Sequence, residues 1–106
     1  MLGLFEKNNF ESIDVNDLEK DSRGITLIDV REPSEYKGGH IPIAKNIPMK
    51  EILVNCESHL DKSKEYHIVC QSGGRSSKVC KFLASKGFTV VNVSGGTGGY
   101  IGKINK

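Results

Sequence analysis

Three short apolar runs, separated by segments of helical character, constrain the fold of this chain most. They are residues 25–30, 67–70 and 88–93, and they are rich in β-branched side chains. Their apolar residues are close to continuous, which is typical of strands buried on both faces. Shorter strands are expected at residues 12–13 and near residues 45–47. Strands that alternate with helices predict an α/β domain with a mostly parallel sheet.

Helical segments fill the intervals between these runs. Asp14 is placed to cap a helix over residues 15–20, because its carboxylate can accept hydrogen bonds from free backbone N–H groups. Apolar residues recur at helical spacing on one face of residues 50–60 and on one face of residues 76–86. Gly87 follows the second of these segments, at a position where glycine commonly ends a helix.

The length and charge of the chain exclude several classes of protein. Its 106 residues fit one domain, which we expect to span residues 1–106. The 15 basic and 13 acidic residues give a net charge of +2 and form no basic stripe of the kind that binds nucleic acid. Residues 1–7 lack the apolar stretch of a leader, and no apolar run approaches the roughly 20 residues needed to span a bilayer. We therefore expect a cytoplasmic monomer that binds neither nucleic acid nor membrane.

The cysteines and histidines indicate reduced thiols and no metal site. Three cysteines are an odd number in a chain without an export signal, so a disulfide framework is not expected. No Cys-x-x-Cys pair is present, and His40, His59 and His67 are too scattered for zinc-ligand spacing. Cys56 and Cys80 lie on the apolar sides of their predicted helices. We interpret them as core residues in preference to resolving thiols.

One segment, residues 69–77, combines the features of an anion cradle. It places Cys70 at the end of a predicted strand, glycines next, and Arg75 with two serines at the start of a helix. Glycines let successive N–H groups turn toward one point, and the N-terminus of a helix points its free N–H groups and its dipole the same way. Arg75 adds a permanent cation, and such surroundings lower the pKa of a thiol. An ordinary turn after a buried cysteine is the alternative, but it leaves Gly-Gly-Arg-Ser unexplained.

We therefore assign candidate roles within this segment. Cys70 is the expected nucleophile, and Arg75 is the catalytic residue expected to stabilise its thiolate. The loop around them is expected to bind the anionic substrate through Gln71, Ser72, Gly73, Gly74, Arg75 and Ser76.

The length of the loop favours one kind of anion. Cysteine-dependent phosphatases have one residue more between cysteine and arginine. Here four residues separate Cys70 from Arg75, and Ser76 takes the phosphatase arginine position. A shorter loop leaves less room around the sulfur. It therefore suits a persulfide, or a thiosulfate that approaches the sulfur, better than a tetrahedral phosphoryl group.

Three segments in the same order resemble the rhodanese-like domain family. Residues 70–76 are similar to its active-site loop, residues 27–36 and 39–48 to its upstream signature, and residues 93–96 to its final strand and turn. Tyr100 stands where many members have Trp, and Gln71 is neutral where some members carry a basic residue.

The resemblance implies a fold and an activity. The family fold is a single α/β domain with a parallel sheet, helices on both faces, and the catalytic loop at the end of a central strand. The implied activity is that of a single-domain sulfurtransferase. Cys70 would take the outer sulfur of thiosulfate as a persulfide and pass it to cyanide or to a thiol. No metal or organic cofactor is implied.

Four polar residues upstream of the catalytic loop are candidates for structural support. Asp29, Arg31 and Glu35 could form an acid/base or binding triad, but their positions at a strand end and a helix start favour an ion-pair network that fixes the loop between them. His40 is interpreted as a hydrogen-bonded structural residue, because a thiol with a lowered pKa needs no general base.

Two other functions remain open at the level of sequence. One is a small cysteine-dependent phosphatase or arsenate reductase, which the loop length disfavours. The other is a non-enzymatic rhodanese-like module that carries sulfur or binds a partner. The glycine-rich residues 95–99 lack the Lys-Ser/Thr ending of a phosphate-binding P-loop, so a turn is predicted there.

Overall fold

A five-stranded sheet is the centre of the computed structural model, which describes residues 10–20 and 24–106. Its strands lie in the order β1-β5-β4-β2-β3, and each neighbouring pair is parallel. The strands are Glu11–Asp14 (β1), Leu27–Asp29 (β2), Lys45–Asn46 (β3), Glu65–Val69 (β4) and Thr89–Ser94 (β5). Residues 1–7, which carry the argument against a leader, lie outside the described residues.

Helices connect the strands. A 3₁₀ helix follows β1, and the carboxylate of Asp14 accepts a hydrogen bond from the backbone N–H of Asn16 (2.9 Å) at its start, as expected of a cap. The other helices are Pro33–Lys37 (α1), Met49–His59 (α2), Gly74–Ser85 (α3) and Gly96–Gly99 (α4), and the 3₁₀ helix is Val15–Lys20.

The predicted elements lie where the apolar pattern placed them, with shifted ends. Regular pairing in β2 covers less than the predicted 25–30, but hydrogen bonds from His67 N–H to Thr26 and from Val30 N–H to Val69 (both 2.9 Å) continue the ladder at each end. Helix α3 starts two residues earlier than predicted. Its preceding residue, Gly73, has a φ of 119°, and this turn of the backbone brings Gly74 into the helix. The turn predicted at 95–99 is one turn of helix.

Helices cover both faces of the sheet, which confirms the predicted α/β architecture. Alternate strand residues point to opposite faces and meet different helices. One buried layer packs α2 and α3 on the sheet and includes Ile28, Ile68, Val90, Ile52, Cys56, Val79, Cys80 and Leu83. The other layer packs the 3₁₀ helix and the chain after α1 on the opposite face, through Leu27, Val69, Val93, Val15, Leu18 and Ile41. Within the described ranges, no helix has the length and apolar character needed to cross a membrane.

Candidate active site

The candidate nucleophile lies at the carboxyl end of the central strand. Strand β4 pairs with β2 on one side and β5 on the other, and Cys70 follows its last residue. Open parallel sheets bind ligands at this edge, where connecting loops leave a crevice. The side chain of Cys70 is nevertheless only 1% exposed. A substrate therefore has to reach a recessed sulfur.

The loop after Cys70 turns backbone N–H groups toward the sulfur. Gly73 has a φ of 119°, which is in the left-handed region that residues with a side chain rarely adopt. In this conformation its N–H donates a hydrogen bond to Cys70 Sγ at 3.0 Å. Helix α3 begins at the next residue, so the free N–H groups of its first turn face the same point.

Ser76 completes the surroundings of the sulfur from the first turn of α3. Its side chain is fully buried, and its Oγ lies 3.4 Å from Cys70 Sγ. The same hydroxyl donates to the carbonyl of Gly73 at 3.1 Å. A hydroxyl has one proton to donate. It can therefore bind the Gly73 carbonyl while Cys70 is a thiol and turn to the sulfur when the thiolate forms.

These contacts favour the thiolate of Cys70. Burial acts against the charged form, but hydrogen bonds from the Ser76 hydroxyl and from the N–H groups of Ser76, Gly73 and Ser72 outweigh it. The net result is a pKa of Cys70 below the ordinary value for cysteine. The predicted cradle thus acts on the sulfur mainly through backbone donors and a hydroxyl.

The guanidinium of Arg75 is directed at a carboxylate of α1. Its Nη1 and Nη2 donate to the two carboxylate oxygens of Glu35 at 2.8 and 3.0 Å, and both side chains are about one-third exposed. The hydrogen bonds from Arg75, together with one from the backbone N–H of Glu32, lower the pKa of Glu35 to about 2. Glu35 in turn raises the pKa of Arg75. This pair connects α1 to the start of α3.

A second guanidinium, that of Arg31, lies under the loop. It is 4% exposed and forms an ion pair with the fully buried Asp29 at 3.0 Å. It also donates from Nη1 to the side-chain oxygen of Gln71 (3.1 Å) and from Nη2 to the carbonyl of Gly39 (2.8 Å). Arg31 therefore joins the end of β2 to the first residue of the loop.

The remaining predicted residues differ in exposure and in the contacts that they make. Gln71, Ser72 and Gly74 are exposed. His40 contacts other partners: its Nδ1 is 2.9 Å from the carbonyl of Tyr36, its ring stacks on the Tyr36 ring at 3.7 Å, and its backbone pairs with Asn105. Residues 10–20 and 24–106 hold no group of three or more His, Cys, Asp or Glu side chains able to bind a metal ion.

Sequence reasoning missed the part that α4 has in the site. The N–H groups of Thr97 and Gly98 donate to the carbonyls of Cys70 (2.8 Å) and Gln71 (2.9 Å). A side chain at Gly96 would collide with those carbonyls, and Gly96 has a φ of 62°. Consecutive glycines were the available signal, but nothing in the sequence showed which segment they approach.

Comparison with known proteins gives a consistent result. The Rhodanese-like domain family matches residues 13–103. YtwF of Bacillus subtilis, whose name proposes a sulfurtransferase, is 53% identical over 70 residues, which are 66% of this chain and 67% of that protein. A protein of Allochromatium vinosum named "Sulfurtransferase" is 33% identical over 90 residues, which are 84% of this chain and 83% of that one.

A solved structure shares the fold. The crystal structure of a rhodanese-related protein from Thermoplasma volcanium superposes with a TM-score of 0.81 at 32% identity, and covers 91% of this chain and 98% of that one.

Proposed function

Because this chain belongs to the rhodanese-like domain family, we propose that it is a sulfurtransferase that moves sulfane sulfur through a persulfide on Cys70. The donor is thiosulfate or a chemically similar anion, and the acceptor is cyanide or a thiol. The observation that carries this proposal is the recessed Cys70 sulfur, held at the end of β4 among N–H donors and the Ser76 hydroxyl.

The proposed reaction has two displacements. The Cys70 thiolate attacks the outer sulfur of thiosulfate, the S–S bond of thiosulfate breaks, and sulfite leaves with the bonding electron pair. A second nucleophile then attacks the outer sulfur of the Cys70 persulfide and regenerates the thiolate. The sulfane sulfur passes from one nucleophile to the next, so neither half-reaction needs an external oxidant or reductant.

We propose that the loop stabilises both anions of this cycle, the thiolate and the persulfide. The persulfide carries its negative charge on the outer sulfur, one bond further from Cys70 than in the thiolate. Backbone N–H groups of Ser72, Gly73 and Ser76 donate to Cys70 Sγ, and we propose that N–H groups of this loop also stabilise the outer sulfur electrostatically. Gln71 and Gly74 are proposed to line the entry of the donor, because both are exposed and belong to the loop that follows Cys70.

The supporting residues are proposed to hold this loop in place. Arg75 stabilises the thiolate and the persulfide from the first turn of α3, where Glu35 fixes its guanidinium. Asp29 and Arg31 fix Gln71, and His40 holds the chain after α1 through Tyr36.

The direct test is to load the protein with sulfur and to measure the change in its mass. After incubation with thiosulfate, intact-protein mass spectrometry should show one added sulfur atom, peptide mapping should place it on Cys70, and cyanide should remove it as thiocyanate. Cys70→Ser should gain no sulfur, whereas the matched variant Cys80→Ala should load like the wild type. Sulfur on Cys80 in place of Cys70 would contradict the assignment. Aryl phosphate hydrolysis without sulfur transfer would replace it with a phosphatase. Loading without turnover toward any acceptor would indicate a carrier.

A further inference from the structure

Helix α3 exposes two lysines beside the mouth of the candidate active site. Its first residue, Gly74, belongs to the loop that follows Cys70, and its exposed side is formed by Gly74, Lys78, Lys81 and Ser85. At a rise of about 1.5 Å per residue, Lys78 and Lys81 lie about 6 and about 10 Å along the helix axis from Gly74. Charges at such distances are only partly screened at physiological ionic strength, where the Debye length is about 8 Å. Both cations therefore act on a molecule that approaches the loop.

No carboxylate neutralises these two lysines within the part of the chain that the structure describes. Neither ammonium group forms an ion pair there, and α3 contains no Asp or Glu that could contact them at helical spacing. The two carboxylates of the neighbouring α2 have other partners: Glu51 contacts His59 at 3.6 Å, and Glu57 contacts Lys62 at 3.8 Å. The exposed side of α3 therefore carries a net positive charge.

The stability of the helix does not require this charge pattern. Carboxylates near the N-terminus of a helix stabilise it, and so do opposite charges one turn apart. The first turn of α3 has no acidic residue, and Lys78 and Lys81 are like charges one turn apart. Arg75 adds no net charge, because Glu35 of α1 binds it. A charged face that folding does not favour, next to a reactive group, indicates a binding role.

The depth of the sulfur limits the shape of a macromolecule that can react with it. The side chain of Cys70 is only 1% exposed, so a thiol on a flat protein surface cannot reach it. The thiol has to project on a loop or at a chain end. Opposite charges across an interface guide association and fix the orientation of the two partners. Carboxylates close to such a thiol would meet the lysines of α3 as the thiol enters the loop.

We propose that the α3 lysine surface, formed by Lys78 and Lys81, docks an acidic protein that accepts sulfur from Cys70 through a thiol on a projecting loop or chain end. This inference rests on the proposed function and names the partner of its second displacement. The thiolate of the acceptor bonds to the outer sulfur of the Cys70 persulfide, the S–S bond breaks, and its electron pair stays on Cys70 Sγ. Two anions enter this step and two leave it, so no further reactant is needed.

Two blocked peptides that differ only in charge test the proposal. The acidic peptide is acetyl-Cys-Gly-Gly-Asp-Glu-Asp-Glu-amide, and the neutral peptide has Asn and Gln in place of Asp and Glu. Two extended glycines span about 7 Å, which places the carboxylates over the α3 lysine surface when the thiol is at Cys70. Mass spectrometry follows sulfur transfer from the loaded protein to each peptide. We expect the ratio of the acidic to the neutral rate constant to be about ten or more at low ionic strength and to fall toward one at about 0.5 M salt.

Variants locate the charge that is responsible. Lys78→Glu and Lys81→Glu should each lower this ratio about three- to tenfold, because each replaces an attractive charge by a repulsive one. Lys64→Glu is the matched control, since Lys64 is exposed and directly precedes β4, at the opposite edge of the sheet and about 20 Å from Cys70. It should leave the ratio unchanged, and transfer to the neutral peptide should stay close to the wild-type rate in all three variants. If circular dichroism shows that a Glu variant does not fold, Lys78→Gln and Lys81→Gln decide the question.

The outcomes distinguish this inference from the function on which it rests. A ratio near one in the wild type, or a ratio that the α3 variants change no more than Lys64→Glu does, overturns the docking surface and leaves the sulfurtransferase intact. If fluorescence anisotropy shows that an oligouridylate binds more tightly than the acidic peptide and that Lys78→Glu abolishes this binding, a nucleic acid replaces the acidic protein. Failure of Cys70 to take up sulfur from thiosulfate or polysulfide overturns the proposed function and this inference together.

Discussion

Cys70 and Cys80 are equally buried and chemically opposite. Their exposed fractions are 1% and 0%, and both belong to the same core layer. Cys80 lies inside α3, where burial and the nearby Cys70 raise its pKa to about 12. Cys70 lies one residue beyond a strand, where N–H groups and a hydroxyl lower its pKa despite burial. The comparison shows that burial alone does not set the reactivity of a thiol. The hydrogen-bond donors directed at the sulfur decide whether its pKa lies above or below the ordinary value for cysteine.

Alkylation of the two thiols is the largest effect that this comparison predicts. With a pKa of about 12, Cys80 has a thiolate fraction of about 10⁻⁵ at pH 7, because each pKa unit changes the ratio tenfold. Brief iodoacetamide treatment of the folded protein should therefore label Cys70 at least about a thousandfold faster than Cys80. Peptide mass spectrometry over a time course measures both rates. Labelling at comparable rates would show that the donors around Cys70 do not activate it.

Gly73→Ala tests whether the turn that directs an N–H to the sulfur requires glycine. A side chain at a φ of 119° is strained, so the free energy of unfolding should fall by about 2 kcal/mol. Urea denaturation provides the measurement. Gly74→Ala is the matched control: Gly74 lies in the helix with open space around it, and alanine there should be neutral or slightly stabilising. Equal losses in the two variants would contradict a special role for the Gly73 conformation.

Ser76→Ala tests the hydroxyl at the sulfur. Loss of this donor should raise the pKa of Cys70 and slow alkylation by about tenfold at a pH below the pKa of both proteins. Above both values the rates of variant and wild type should converge, because both thiols are then ionised. Ser77→Ala, one residue along the same helix, should retain the wild-type pH profile. An unchanged profile in Ser76→Ala would mean that the backbone donors act alone.

The smallest predicted effect concerns the ion pair that ties the loop to α1. Glu35 has a folded pKa of about 2 against an ordinary 4.5, so its contribution to stability is present above pH 4.5 and is lost as the pH falls toward 2. Because both side chains are about one-third exposed, solvent screening limits this contribution to about 0.5–1 kcal/mol. Thermal unfolding of Glu35→Gln should show this loss at pH 7 and a smaller one near pH 2.5. A loss independent of pH would assign the effect to packing.

Local sequence patterns predicted the strand that leads to Cys70, the loop and the helix that follows, because each of these features depends on residues that are neighbours in sequence. The apolar run at 67–70, the glycines and the helical spacing after Ser76 each report on their own segment. The sequence did not predict which group the guanidinium of Arg75 binds. A cation near a cysteine can turn to the sulfur, to a substrate or to a carboxylate, and only the packing of α1, forty residues away in sequence, brings Glu35 within 2.8 Å.

The contact of α4 with the loop could not be predicted for the same reason. The glycine-rich residues 95–99 predict a tight turn, and the structure has one turn of helix there. Which backbone the glycines approach depends on the order of strands in the sheet, which places β5 beside β4 and so brings Gly96 onto the carbonyls of Cys70 and Gln71. Short-range pattern carries no information on this order.

The hydrogen bonds from α4 also set an order of events while the chain is being made. The carbonyl of Cys70 is bound by the N–H of Thr97, which is added to the chain about 27 residues later. At the usual speed of synthesis, about 5–20 residues per second, that interval lasts about 1–5 s. The loop around Cys70 can therefore reach its final geometry only after Thr97 and Gly98 have been synthesised, because their N–H groups bind the carbonyls of Cys70 and Gln71.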